Sequence, residues 1–200
     1  MEVKATKKIR RARISRDWKP DDLHVQMVID PDFVKLAEFY YDVVSKRVET
    51  RTGDKLAIVD GWLAQICFQA LLIERKIPFI PHVPLYSPLD PIYGEPYDFL
   101  IPFVGKVEVK GTARYPNYKR FMVNCREWKR LPCDYGVGVK VHSDTSAVIM
   151  GWLSRDEIEA LPIVNCGSGD CYNCNLSELT SMPSFIKMLQ DAKTRLKWSL

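Results

Sequence analysis

An alternation with a period of two, running on both sides of a short turn, constrains this chain more than any other stretch. The first arm is Asp98-Phe99-Leu100-Ile101 and the second is Val107-Glu108-Val109-Lys110-Gly111, with the turn residues of Pro102 to Gly105 between them. Side chains along a strand point alternately to opposite faces, and residues two apart lie roughly 7 Å from each other on one side. Glu108 and Lys110 therefore share a face, and Val109 points into packing. If Ile101 pairs with Gly105 across a loop of Pro102, Phe103 and Val104, Asp98 stands opposite Glu108 with both carboxylates on the same side. A slip of one residue would separate them.

Two carboxylates held so close repel. A hard cation such as Mg²⁺ or Mn²⁺ relieves that cost through oxygen ligation and keeps positions open for water and phosphate. Asp98, Glu108 and Lys110 thus form a trio able to hold a divalent metal and ready a water for attack on a phosphodiester. The competing reading is a solvent-facing strand on which Lys106, Glu108 and Lys110 merely alternate in charge. The setting of the motif decides between the two.

That setting has three parts. Upstream, Val59, Trp62, Leu63, Ile66, Ala70 and Ile73 recur at helical spacing over residues 54 to 76, after a start at Thr52-Gly53-Asp54. Asp60 is the nearest acid on this helix to join the trio, with Gln65 and Gln69 beside the apolar stripe, although polar flank is the favoured reading for all three. Next, the prolines of Pro78-Phe79-Ile80-Pro81-His82-Val83-Pro84-Leu85-Tyr86 suit an edge strand, with His82 read as structural. Downstream, Trp128-Lys129-Arg130 predicts a short helix, and residues 134 to 141 and 146 to 153 read as two further strands. Ser154-Arg155-Asp156-Glu157 is a capping-box pattern opening another helix through Ile158 and Leu161.

In this order of elements the chain resembles the PD-(D/E)xK nuclease superfamily, and is similar to archaeal resolvase-like and viral nucleases over roughly residues 53 to 161. The motif reads Asp98, then Glu108-Val109-Lys110, with Tyr97 where the proline of the name would stand. The resemblance implies that Asp98, Glu108 and the Val109 carbonyl bind Mg²⁺ and that Lys110 orients or helps deprotonate the attacking water. It implies DNA ahead of RNA as the substrate, and two copies pairing in those members that cut both strands.

Two hundred residues, 46% of them hydrophobic, suffice for one sizeable core. No apolar run approaching the roughly 20 residues of a membrane span is evident, nor a signal peptide, so the expectation is a cytoplasmic chain with no membrane partner. The net charge is only +4 but unevenly placed. Lys4, Lys7, Lys8, Arg10, Arg11, Arg13 and Arg16 stand against Glu2 in an arm that either neutralises phosphates or is a basic terminus without a partner. Arg114, Lys119 and Arg120, interleaved with Tyr115 and Tyr118, follow the E-x-K strand and could track a nucleic-acid backbone; a solvated loop is the alternative.

Cys166, Cys171 and Cys174 crowd into nine residues of a polar loop, and Cys133 or Cys125 would complete a four-thiolate zinc site. A disulfide ranks next and an iron-sulfur cluster third; the latter would resemble RecB-like nucleases with three cysteines after the core. Cys67 sits on the helical pattern and reads as core. Phe33, Leu36, Ala37, Tyr40, Tyr41, Val44 and Val48 form an amphipathic stripe, and Phe185, Met188, Leu189 and Leu196 mark a terminal helix.

The expected architecture is α/β: a restriction-endonuclease-like mixed central sheet flanked by helices, with a small cysteine-containing C-terminal segment. It divides into a basic arm and helical extension (1–52), a nuclease core (53–161) and a cysteine-bearing loop with a terminal helix (162–200). The expected activity is Mg²⁺-dependent hydrolysis of nucleic-acid phosphodiesters. The alternative is a noncatalytic nucleic-acid-binding protein whose cysteines hold a structural metal.

Overall fold

The computed structural model describes residues 12–17, 19, 22–45, 55–81, 97–112, 114, 119–166 and 169–198. Its elements run β1 (Ala12–Ile14), β2 (Val25–Ile29), α1 (Pro31–Ser45), α2 (Lys55–Glu74), β3 (Ile80–Pro81), β4 (Phe99–Ile101) and β5 (Gly105–Thr112). They continue with β6 (Arg120–Asn124), α3 (Cys125–Arg130), β7 (Tyr135–Ser143), β8 (Ser146–Ser154), α4 (Arg155–Glu159), β9 (Ile163–Asn165), β10 (Asp170–Asn175) and α5 (Met182–Trp198). A single 3₁₀ turn, Leu176–Glu178, joins β10 to the segment before α5.

The main sheet is mixed and has seven strands in the order β1-β2-β8-β7-β5-β4-β3. Every neighbouring pair is antiparallel except β5 and β7, which run parallel. Parallel neighbours need a crossover, and β6 with α3 supplies it. β6 also leaves the main sheet to form a second, three-stranded antiparallel sheet in the order β6-β10-β9.

Strand alternation sorts the side chains into two cores. Val107 and Val109 of β5 and Val137, Val139 and Val141 of β7 enter the larger one, with Phe33 of α1, Leu63 and Phe68 of α2, and Phe185 of α5. The opposite face carries Gly136 and Gly138, and over it lies the smaller core of Phe121, Val123, Trp128, Ile158, Leu176 and Leu179. A carbon added at Gly138 would stand 2.6 Å from Leu179 Cδ1 and 3.2 Å from Phe121 Cδ2. Only a bare backbone lets the second layer sit so close. The result is three layers: helices, main sheet, small sheet with α3 and α4.

α2 is buried around most of its girth, which explains a sequence apolar on nearly every side. By length and composition it is the one described helix apolar enough to cross a membrane, contrary to the expectation that no such run exists. Yet 56% of that stretch is buried within the fold, as in a core helix. α4 opens with the expected capping box between Ser154 and Glu157 and ends at Glu159, before Leu161. β3 is a two-residue edge strand, as its prolines require. His82 and the rest of that apolar stretch lie outside the described residues, as do Val48 and the side chains of Leu36, Tyr40 and Val44.

The three-part division does not survive. The segment 1–52 contributes β1 and β2 to the main sheet, with Val25, Met27 and Ile29 in the larger core. The segment 162–200 is likewise no loop with an appended helix: β10 pairs along β6, and Met182, Phe185, Ile186 and Leu189 of α5 enter the larger core. Alternation in Val25-Gln26-Met27-Val28-Ile29 is the signal that would have located β2, whose inward positions are fully covered.

Candidate active site

The hairpin adopts the register that joins the acids. Ile101 pairs with Gly105, Leu100 with Lys106 and Phe99 with Val107, across the loop Pro102, Phe103 and Val104. The Val104 N–H donates to the Ile101 carbonyl at 3.0 Å, and Phe103 takes a left-handed φ of 62°. Asp98 stands immediately before the paired stretch, so the register carries it to the level of Glu108. Its own N–H donates to the Val107 carbonyl at 3.0 Å.

Asp98 is firmly held. Its Oδ2 accepts the Val109 N–H at 2.6 Å, and its Oδ1 accepts Gln65 Nε2 of α2 at 2.7 Å. The carboxylate thus ties the helix layer to β5. Gln65, read from the sequence as polar flank beside the apolar stripe, is instead the side chain that positions the acid. Its place on α2, one turn beyond the helix's contact with Gly111, brings it there.

Glu108 and Lys110 share one face, and Lys110 Nζ lies 2.7 Å from Glu108 Oε1. Both are largely covered, with side chains 12% and 27% exposed respectively. Burial pulls the Lys110 ammonium down, but Glu108, Asp98 and Glu127 of α3 together outweigh it and leave the pKa above the ordinary lysine value. Both acids of the motif therefore act on a single point, the Lys110 nitrogen. They act on Cys133 as well: burial pushes this thiol up, and Glu108 and Asp98 push it further, so it stays protonated.

This donor set suits a hard divalent cation, because two carboxylates converge on one positive charge and every other donor in reach along β5 is a backbone oxygen. Among the described residues no group of three or more His, Cys, Asp or Glu side chains is placed for a metal ion. The site offers two carboxylates, and the Val109 carbonyl would be the third oxygen.

Asp60 does not join the pair. It is fully buried, and both its oxygens accept from Arg114, Oδ2 from the backbone N–H at 3.0 Å and Oδ1 from Nε at 2.7 Å. Burial raises the Asp60 pKa and prevails over the downward pull of Arg114. Arg114, expected to meet nucleic acid, is engaged by Asp60 and by Asp144. Lys119 and Arg120 are exposed beside the start of β6. Lys4, Lys7, Lys8, Arg10, Arg11, Tyr115 and Tyr118 lie outside the described residues; Arg13 falls on β1 and Arg16 in the turn after it.

The cysteines depart from the expected arrangement. They do not sit in an exposed polar loop: Cys171 and Cys174 belong to β10 and are 3% and 4% exposed. Cys166 and Cys171 are joined as a disulfide with Cα atoms 6.3 Å apart. Cys174, an odd number of residues along the strand, turns to the other face and packs in the smaller core with Cys133 and Cys125. The structure therefore does not gather Cys133, Cys166, Cys171 and Cys174 into one tetrahedron. Cys67 is core, as expected, its thiol pushed up to about 12 by burial.

No protein-family model matches this chain, and no curated protein or solved structure matches it either.

Proposed function

We propose that the protein is a divalent-metal-dependent nuclease that hydrolyses phosphodiester bonds, with DNA as substrate, on a restriction-endonuclease-like variant of the mixed sheet. The observation that carries this reading is the hairpin register, which brings Asp98 level with Glu108 and leaves Lys110 one pleat further on the same face. Asp98, Glu108 and the Val109 carbonyl would hold the cation. When bound, Mg²⁺ or Mn²⁺ would supply Lewis-acid stabilisation of the charge that develops on the phosphate.

The chain's own residues do the rest. Gln65 and the Val109 N–H fix the Asp98 carboxylate before substrate arrives, so no reorganisation is needed at the moment of reaction. Lys110 is held as a charged ammonium by its three acids. In that state it donates hydrogen bonds and orients a water; it does not accept a proton. The resemblance to PD-(D/E)xK nucleases supports the assignment of these roles.

The test is cleavage of single-stranded, duplex and branched DNA in Mg²⁺ or Mn²⁺, with EDTA as control. Asp98→Ala and Lys110→Ala should each lower the rate by about a hundredfold or more while DNA binding is retained. The 2.7 Å Glu108–Lys110 pair is also what an ordinary surface strand would form, as in a noncatalytic nucleic-acid-binding protein. DNA binding without metal-dependent cleavage of any of the three substrates would establish that reading and end the proposal.

A further inference from the structure

Beyond the carboxylate site, the same face of β5 and β7 carries a second concentration of charge. Glu108, Lys110 and Thr112 alternate along β5, and Thr112 is paired with Lys140. Lys140 thus lies one strand spacing (~4.8 Å) across and two residues (~7 Å) along from Lys110. Beside it opens a pocket of about 560 Å³ whose walls include Arg114, Lys119, Lys140, His142, Met150 and Leu176. No carboxylate lines this pocket; Asp60, which acts on both Arg114 and Lys140, stands behind them.

We infer that this pocket binds a phosphate monoester, with the phosphoryl group among Arg114, Lys119 and Lys140 and the organic group against Met150 and Leu176. Three observations converge. Lys140 is only 6% exposed, and burial lowers its pKa, so its charge is held at a cost that an anion would offset. Arg114 keeps a buried Nη2 without a hydrogen-bond partner among the described residues, although its Nε and Nη1 are engaged. A donor left so is what an incoming oxyanion satisfies. Finally, the pocket is larger than a bare phosphate needs, and its apolar wall suits the sugar and base of a nucleotide.

The monoester could belong to a free mononucleotide or to the phosphorylated end of a strand. Both present the same dianion. Calorimetric titration of the full chain, in EDTA and at fixed ionic strength, separates them: inorganic phosphate, adenosine monophosphate, adenosine, and one short oligonucleotide with a 5′-phosphate or a 5′-hydroxyl. The monophosphate should bind at least about tenfold more tightly than adenosine, and Lys140→Gln and Lys119→Gln should each weaken it about tenfold. A tighter complex with the phosphorylated oligonucleotide than with the mononucleotide identifies a strand end as the ligand; the reverse order identifies the free nucleotide.

Lys119 is exposed, so its variant reports on the pocket even if Lys140→Gln fails to fold. Asp98→Ala should bind the monophosphate as the parent does. Failure of the nuclease reading and failure of the pocket are therefore distinguishable. Equal affinity for adenosine and its monophosphate, or unchanged binding in Lys119→Gln and any folded Lys140→Gln, would overturn the inference.

Discussion

Gly111→Ala tests how tightly α2 is seated on the strand that bears the acids. A carbon added at Gly111 would stand 2.8 Å from the Asp60 carbonyl oxygen, 3.0 Å from Ala64 Cβ and 3.1 Å from Gly61 Cα. All three atoms belong to α2, and none is the end of a flexible side chain. To restore an ordinary contact of 3.4 Å the helix must retreat by 3.4 − 2.8, about 0.6 Å. A gap of that size forfeits a quarter to a half of the dispersion energy of the atoms it parts, and overpacking of this kind costs about 1–3 kcal/mol. The expected loss is about 2 kcal/mol, or a melting temperature lower by about 4–8 °C for a chain of this length.

Gly61→Ala is the matched control. It lies on the same helix, and an added carbon there meets nothing within 4 Å. Relief of the helical glycine should stabilise the protein by about 0.5–1 kcal/mol. Urea unfolding of both variants, read as midpoint at constant slope, gives the comparison. The retreat of α2 also stretches the 2.7 Å bond from Gln65 to Asp98, so cleavage should fall in Gly111→Ala and hold in Gly61→Ala. A Gly111→Ala protein as stable as its parent, or a Gly61→Ala protein that loses as much, would refute the packing argument.

Three further outcomes are expected. Because the folded pKa of Lys110 lies above its ordinary 10.5, the folded state holds that proton more tightly than the unfolded chain does. The stability difference between the parent and Lys110→Met should therefore be flat through neutral pH and shrink only as pH rises above 10.5; a change near neutrality in denaturant titrations would contradict the pairing. Without reductant, thiol titration in guanidinium should find four groups, Cys67, Cys125, Cys133 and Cys174, whereas six thiols with stoichiometric zinc by elemental analysis would replace the disulfide by a metal site. Phe103→Gly should raise stability by up to about 1 kcal/mol, since Phe103 is exposed and holds a left-handed φ that glycine adopts without cost; a loss measured by thermal melting would show the ring to be packed.

Much of the hairpin was legible from residue order alone, because its determinants are local. Alternation assigns Val107 and Val109 to one face and Glu108 and Lys110 to the other, and a three-residue loop leaves one register that keeps both valines inside. The capping box at Ser154 is local in the same sense, being set by two side chains three residues apart. The apolar periodicity of α2 likewise announces a helix, though not what its polar residues meet.

Those meetings are decided by contacts between segments remote in the chain, which no spacing encodes. Asp60 and Gln65 look alike as polar positions on α2, yet one is taken by Arg114 at the end of β5 and the other reaches Asp98. The difference follows from where the helix crosses the sheet, and that is set by the bare backbone of Gly111. The cysteine segment was misread for a related reason. Its polar residues suit a loop by composition, but pairing with β6 satisfies their backbone and buries Cys171 and Cys174. Local chemistry thus determined which strands and helices form and how the hairpin's two acids align. Tertiary packing alone decided which partner each charge and thiol would find, because burial depends on the elements that close over a residue and these come from across the whole chain.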